Sequence, residues 1–122
     1  TNGKMEEAFS VVNNARMLAL ANIKVGLSIR ELDGMVRGFI KDAGYGDFFR
    51  HGVGHGVGIA VHEAPAINSS SEGVFEENMV VTIEPGIYIP DLGGVRLEDM
   101  VHLTAHEAKI MTKIRKDTLR RI

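Results

Sequence analysis

The spacing of apolar residues predicts two helices at the start of the chain. Over residues 4–24 apolar positions recur at steps of three or four, the period of one helix face, at Met5, Phe9, Val12, Ala15, Ala19 and Ile23. Gly26 follows this stripe and suits the end of a helix. A second helix is predicted from about 29 to 43, with inward positions Ile29, Leu32, Val36, Phe39, Ile40 and Ala43. Ser28 and Glu31 form a capping-box pattern at its start, and Gly44 suits its end.

After Gly44 the pattern becomes typical of strands and turns. Half of the residues in 51–58 are glycine, which disfavours a helix there. The predicted strands are Val57–His62, Met79–Ile83, Ile87–Ile89 and Val95–Thr104, with a loop at 64–78 and a turn at 90–94. Residues 87–104 are therefore predicted to form a hairpin. Two helices followed by antiparallel strands indicate an α+β fold.

Composition narrows the function classes. A length of 122 residues predicts one domain, 1–122. The formal charge of -2 argues against a nucleic-acid partner. The sequence contains no run of about 18 apolar residues, so no membrane-spanning helix is predicted. The chain has no cysteine, which excludes disulfides and thiolate ligands and is compatible with a cytoplasmic location. The basic tail after His106 is interpreted as a solvated final element, because apolar residues interrupt its charges.

Two groups of residues could carry chemistry. His51, His55 and His62 lie in or beside the glycine-rich segment, where small neighbours allow an imidazole to approach a ligand. Glu84, Arg96 and Glu98 stand among apolar residues, and strand alternation allows all three to share one face of a sheet. A flexible loop with incidental histidines and an exposed Arg–Glu ion pair are the alternatives. Imidazole and carboxylate together would suit Mn, Co, Fe or Zn.

Three motifs in order carry a family resemblance. They read HGVGHGVGIAVHEAP at 51–65, VTIEPGIYIP at 81–90 and GGVRLEDMV at 93–101. Together they resemble the metallopeptidases of the pita-bread fold, and most closely the Xaa-Pro branch, which contains prolidase and aminopeptidase P. The predicted helices and the end of the chain are also similar to that family. The resemblance therefore implies a fragment of the pita-bread fold.

The resemblance also implies a metal site and roles for its residues. In that family two divalent ions are held by two aspartates, one histidine and two glutamates, and the motif matches assign His55, Glu84 and Glu98 as ligands. Mn or Co are the expected ions, with Zn or Fe as alternatives. The implied catalytic residues are His51, His62, Glu84 and Arg96. Glu84 would move the proton, both histidines would contact an Xaa-Pro peptide, and Arg96 would support the site by hydrogen bonds.

The chain departs from the family pattern at two ligands. The family's two aspartates precede the first helix, and no aspartate precedes Asp33 in this sequence. Residues 1–122 are therefore interpreted as a C-terminal fragment of the catalytic domain, inactive alone, whose partner would be the N-terminal half. Members of the family are often dimers, so a homodimer is allowed. A dipeptidase is favoured over an aminopeptidase; a creatinase-like amidinohydrolase and a non-catalytic peptide-binding module are the alternatives.

Overall fold

The computed structural model describes residues 3–57 and 66–111 of the 122-residue chain. Two helices come first and antiparallel strands follow, which confirms the predicted α+β class. In chain order the elements are α1 (Gly3–Asn22), α2 (Ile29–Asp42), a short 3-10 helix (Gly46–Phe48), β1 (Gly54–His55), β2 (Ala66–Ile67), β3 (Val80–Ile83), β4 (Gly86–Ile89), β5 (Gly93–Arg96), β6 (Asp99–Leu103) and β7 (Ala108–Ile110).

Both helices form where the apolar period predicts them. The Oγ of Ser28 accepts a hydrogen bond from the amide of Glu31 at 3.3 Å, so the predicted cap of α2 is confirmed. Gly26 and Gly44 follow the two helices with φ of +93° and +96°, a backbone conformation that favours glycine.

The buried face of each helix differs from the predicted stripe at single positions. In α1 the buried positions are Met5, Ala8, Val12, Ala15 and Ala19, so Ala8 takes the place of Phe9, which is only partly buried. In α2, Ala43 is exposed because it is the C-cap residue and lies beyond the last turn. Asp33 is buried there although its charge predicts exposure. Its ion pair with Arg37, described below, accounts for that burial.

Within residues 3–57 and 66–111 the strands form three small antiparallel sheets, β1–β2, β3–β6–β7 and β4–β5. The predicted strand at 95–104 is wrong in one respect, because it breaks after Arg96 into β5 and β6. The hairpin is therefore β4–β5 alone, while β6 pairs with β3 and places Asp99 opposite Ile83. At the break the amide of Leu97 donates to the carbonyl of Pro85 at 3.3 Å, and Leu97 is buried.

The glycine-rich region also differs from its predicted strand. Its strand, β1, precedes Val57, and most of the predicted strand at 57–62 lies outside the described residues. The predicted loop at 64–78 contains β2, which pairs with β1. The basic tail beyond Met111 also lies outside the described residues.

Helix α1 packs against α2 and against strands β3, β4 and β5, so the core lies between helices and sheets. One buried ion pair crosses this layer. Arg16 of α1 donates to a carboxylate oxygen of Asp99 at 2.8 Å, and the two side chains are 14% and 3% exposed. Of the helices in the part of the chain that the structure describes, neither is long and apolar enough to cross a membrane.

Tyr45 offers a test of the helix packing. Its hydroxyl donates to Glu7 of α1. Burial, and to a smaller extent this hydrogen bond, raises the pKa of Tyr45 from 10.0 to about 12. Because the folded state favours the protonated phenol, the stability that the Tyr45 hydroxyl contributes is fully present below pH 10. It is lost as pH rises from 10 to about 12. Tyr45→Phe should lower the free energy of unfolding by about 1 kcal/mol at neutral pH. Denaturant titrations of both proteins should converge toward pH 12, and a constant gap would contradict this account.

Candidate metal centre

The glycine-rich segment lies directly against strand β3. The amide of Glu84 donates to the carbonyl of Val53 at 2.6 Å, and the amide of Val57 donates to the carbonyl of Val80 at 2.7 Å. Between these contacts Gly54 meets the backbone so closely that a Cβ there would lie 1.8 Å from the carbonyl oxygen of Thr82. A residue with a side chain therefore could not occupy this position without moving one of the two segments.

Thr82 links the two predicted metal ligands of these segments. Its buried hydroxyl donates to Glu84 Oε2 at 2.7 Å and accepts a hydrogen bond from the amide of His55 at 3.0 Å. The imidazole Nε2 of His55 lies 3.4 Å from the same Glu84 oxygen. The structure therefore brings His55 and Glu84 together, with Thr82 and Glu84 on one face.

The donor atoms of this pair fit a divalent cation. His55 Nδ1 lies 2.9 Å from the carbonyl oxygen of Gly56, and since a carbonyl has no proton to give, Nδ1 is the donor. In the neutral ring Nε2 then carries a lone pair that faces the Glu84 carboxylate. Two electron-rich atoms in this arrangement are stabilised by a positive charge, which a ring proton or a metal ion supplies. Metal-ligating histidines commonly donate their other ring nitrogen to a carbonyl in the same way.

Arg96 approaches Glu84 from the other side. Its guanidinium NH1 lies 3.9 Å from Glu84 Oε1, a long contact, and the Arg96 side chain is 49% exposed. The Glu84 side chain is only 15% exposed, so its two oxygens face different partners: His55 and Thr82 on one side and Arg96 on the other. An exposed contact of this length contributes little to stability, but it keeps a positive charge beside the carboxylate.

His51 is held by two hydrogen bonds at the edge of the same site. Its Nδ1 donates to the carbonyl of Gly52 at 2.7 Å, and its Nε2 accepts from the hydroxyl of Tyr88 at 3.0 Å. Burial raises the pKa of Tyr88, Arg96 opposes this shift and Glu84 adds to it. The phenol therefore stays protonated and can donate to His51 near neutral pH.

Tyr88, like Thr82, is a site residue that the sequence analysis does not predict. It lies on β4 opposite Gly94 of β5, two positions from Gly86, which pairs with Arg96. Alternation along β4 and β5 thus places Tyr88 on the face of Arg96. Gly86 leaves room for the Tyr88 side chain, because a Cβ at Gly86 would lie 2.8 Å from the Tyr88 hydroxyl. That signal was present in the motif at 81–90.

The remaining predicted residues are not joined to this group. Glu98 lies between β5 and β6 and is exposed. Across residues 3–57 and 66–111, no set of three histidine or acidic side chains lies close enough to hold a metal ion. The predicted convergence of His55, Glu84 and Glu98 therefore holds for the first two only. His62 lies outside the described residues.

With the helices, the strands and the His55–Glu84 pair described, the chain can be compared with known proteins. It has the fold of the pita-bread enzymes, the class to which its structural neighbours belong. The chain belongs to metallopeptidase family M24, whose family model matches residues 1–105.

Individual relatives refine this comparison. The chain is 48% identical over 118 residues to a Xaa-Pro dipeptidase of Pyrococcus furiosus, covering 97% of this chain and 34% of that protein. A crystal structure of the prolidase from Pyrococcus horikoshii OT3 superimposes with a TM-score of 0.90 at 44% identity, covering 95% and 33%. An X-Pro aminopeptidase from Thermotoga maritima MSB8 gives 0.88 at 39% identity, covering 95% and 33%. The chain thus spans about a third of the length of these relatives.

Gly54 provides a test of how the site is assembled. Gly54→Ala should lower the free energy of unfolding by about 1–3 kcal/mol, because the new methyl group would overlap the Thr82 carbonyl. It should also separate His55 from Glu84. The matched control is Gly34→Ala, at an exposed position of α2 with no atom within 4 Å of the new Cβ.

The control substitution should raise stability by about 0.5–1 kcal/mol, because alanine is the better helix former. Thermal and denaturant unfolding of both variants measure the difference. If Gly54→Ala were as stable as Gly34→Ala, the close contact between the glycine-rich segment and β3 would not exist.

Proposed function

We propose that this chain carries part of the active site of a metallopeptidase that cleaves the peptide bond before proline. The observation that carries the proposal is the His55–Glu84 pair, whose Nε2 and Oε2 atoms face each other at 3.4 Å. The names of the relatives support the substrate class, since they include Xaa-Pro dipeptidases and an X-Pro aminopeptidase. A dipeptidase is the preferred form, in agreement with the P. furiosus and P. horikoshii relatives.

The proposed ligands on this chain are His55, Glu84 and Glu98. They offer one imidazole and two carboxylates, which suit Mn, Co, Fe or Zn. The family resemblance favours Mn or Co among these ions. When bound, two such ions would polarise the scissile carbonyl and lower the pKa of water. The remaining ligands, two aspartates, would come from a part of the parent protein outside these 122 residues, for which 1–122 is proposed as the C-terminal half of the catalytic domain.

The side chains around Glu84 suit the movement of a proton. Oε2 is fixed by the hydroxyl of Thr82, while Oε1 lies on the side of Arg96. A carboxylate held in this way can accept a proton from the attacking water and return it to the leaving nitrogen of proline. Arg96 keeps a positive charge 3.9 Å from Oε1 of this carboxylate, whose side chain is 15% exposed.

His51 and His62 are proposed to contact the substrate. For His51, the Tyr88 hydroxyl and the Gly52 carbonyl hold the ring in one tautomer. A fixed ring can orient a peptide carbonyl and stabilise negative charge that develops on its oxygen. A module that only binds peptides has no need of the His55–Glu84 pair. The cytoplasmic location and the homodimer stay predictions.

Glu84→Gln in the parent protein tests the proton-transfer role. The amide oxygen can still bind a cation but cannot take up and return a proton. We expect kcat to fall by about 10²- to 10⁴-fold at saturating Mn²⁺, with a much smaller loss of metal affinity. Hydrolysis of an Xaa-Pro dipeptide and isothermal titration with Mn²⁺ measure the two effects.

The control for this variant is Glu72→Gln, which makes the same change at an exposed loop position. It should leave both measurements unchanged. Near-normal kcat in Glu84→Gln at saturating metal would show that another group moves the proton.

A second test concerns the 122-residue chain by itself. We expect no hydrolysis of Xaa-Pro dipeptides with excess Mn²⁺ or Co²⁺, because the chain would offer only three of the five proposed ligands. Adding a separately expressed N-terminal half should restore activity by completing the donor set. Activity of the 122-residue chain alone would contradict the proposal that the missing ligands are required.

A further inference from the structure

Arg37 joins helix α2 to the segment that carries His51. Its Nε and NH2 groups donate to both carboxylate oxygens of Asp33, each at 3.0 Å. Its NH1 donates to the carbonyl of Phe49 at 3.2 Å, and NH2 also donates to the carbonyl of His51 at 3.0 Å. The Asp33 side chain is 1% exposed and that of Arg37 is 33% exposed, so a buried carboxylate holds a partly exposed guanidinium.

The Arg37 guanidinium also contacts the Phe49 ring, which in turn contacts the His51 ring. Its central carbon lies 4.5 Å from the centre of the Phe49 ring, over which it stacks. The Phe49 ring in turn meets the His51 ring edge-on, with 5.1 Å between centres and an angle of 90°. Arg37 therefore restrains His51 twice, through its backbone carbonyl and through the neighbouring aromatic ring.

We infer that Arg37 is a positioning residue for His51. The His51 ring reaches Tyr88 at 3.0 Å only while residues 49–51 keep their backbone path, and Arg37 is bonded at both ends of that path. The inference rests on the proposed function, in which His51 contacts the substrate. A displacement of about 1 Å in such a group can cost about 100-fold in rate.

A simpler role for Arg37 would be to neutralise buried Asp33. The two roles differ in what lysine can replace. A lysine ammonium can balance the charge of Asp33, but it lacks the planar fork that reaches a carboxylate and two carbonyls at once. Arg37→Lys therefore preserves the neutralising role and removes the positioning role.

The experiment uses the parent protein with Arg37→Lys, His51→Ala and the double substitution. We expect Arg37→Lys to lower kcat/KM for an Xaa-Pro dipeptide by about 10- to 100-fold. In the His51→Ala background Arg37→Lys should lower kcat/KM by less than about twofold, because the side chain that Arg37 positions is absent. The matched control is Arg30→Lys on the same helix, which donates to the carbonyl of Ser71 at 3.1 Å and should leave kcat/KM unchanged.

A second readout does not depend on activity. The ¹⁵N shifts of the His51 ring should report protonated Nδ1 and unprotonated Nε2 in the wild type, and a mixture of tautomers in Arg37→Lys. If the wild type fails to hydrolyse Xaa-Pro peptides, the proposed function fails while these shifts still decide the role of Arg37. If Arg37→Lys does not fold, Asp33→Asn, which weakens the same anchor, takes its place in both measurements.

Two results would overturn the inference. One is an Arg37→Lys protein with wild-type kcat/KM and unchanged His51 shifts, which would leave charge neutralisation as the role of Arg37. The other is a loss of activity that is equally large with and without the His51 side chain, which would show that Arg37 acts elsewhere.

Discussion

The close contact between Gly54 and the Thr82 carbonyl is the constraint on which the site depends. It lets the glycine-rich segment lie on β3 with backbone hydrogen bonds from Glu84 and Val57 on either side. The short distance also allows one threonine hydroxyl to bond both the His55 amide and the Glu84 carboxylate. The two proposed ligands are thus fixed by main-chain geometry rather than by packing of their own side chains.

Two buried aspartates, each paired with an arginine, take part in the contacts between the helices and the site. Asp99 lies opposite Ile83, immediately beside Glu84, and is held by Arg16 of α1. Asp33 of α2 anchors Arg37, which reaches the segment before the glycines. A buried carboxylate that lost its arginine would be strongly destabilising. The Arg16–Asp99 pair joins α1 to β6, and Arg37, held by Asp33 of the same helix, joins α2 to residues 49–51. The side chains of His51, His55, Glu84, Tyr88 and Arg96 remain partly or fully exposed.

Sequence periodicity predicts the helices well because one face of each is buried along its whole length. The strands are harder to predict from the sequence, because β1 and β2 have two residues each and so few positions show no period. The break after Arg96 was missed since Leu97 continues the alternation while its amide bonds to Pro85. For the site, the motifs indicate His55 and Glu84. The burial of Asp33 depends on Arg37, which also donates to the carbonyls of Phe49 and His51, and no sequence pattern indicates those two acceptors.

The central claim is that His55 and Glu84 bind a common divalent ion. Anomalous X-ray diffraction at the manganese edge, from crystals of the parent protein grown with Mn²⁺, tests it most directly. We expect an anomalous peak within bonding distance of His55 Nε2 and a Glu84 carboxylate oxygen, with Glu98 brought in as a further ligand. A manganese ion bound without His55 and Glu84, or a site where Arg96 alone neutralises Glu84 at saturating Mn²⁺, would contradict the account.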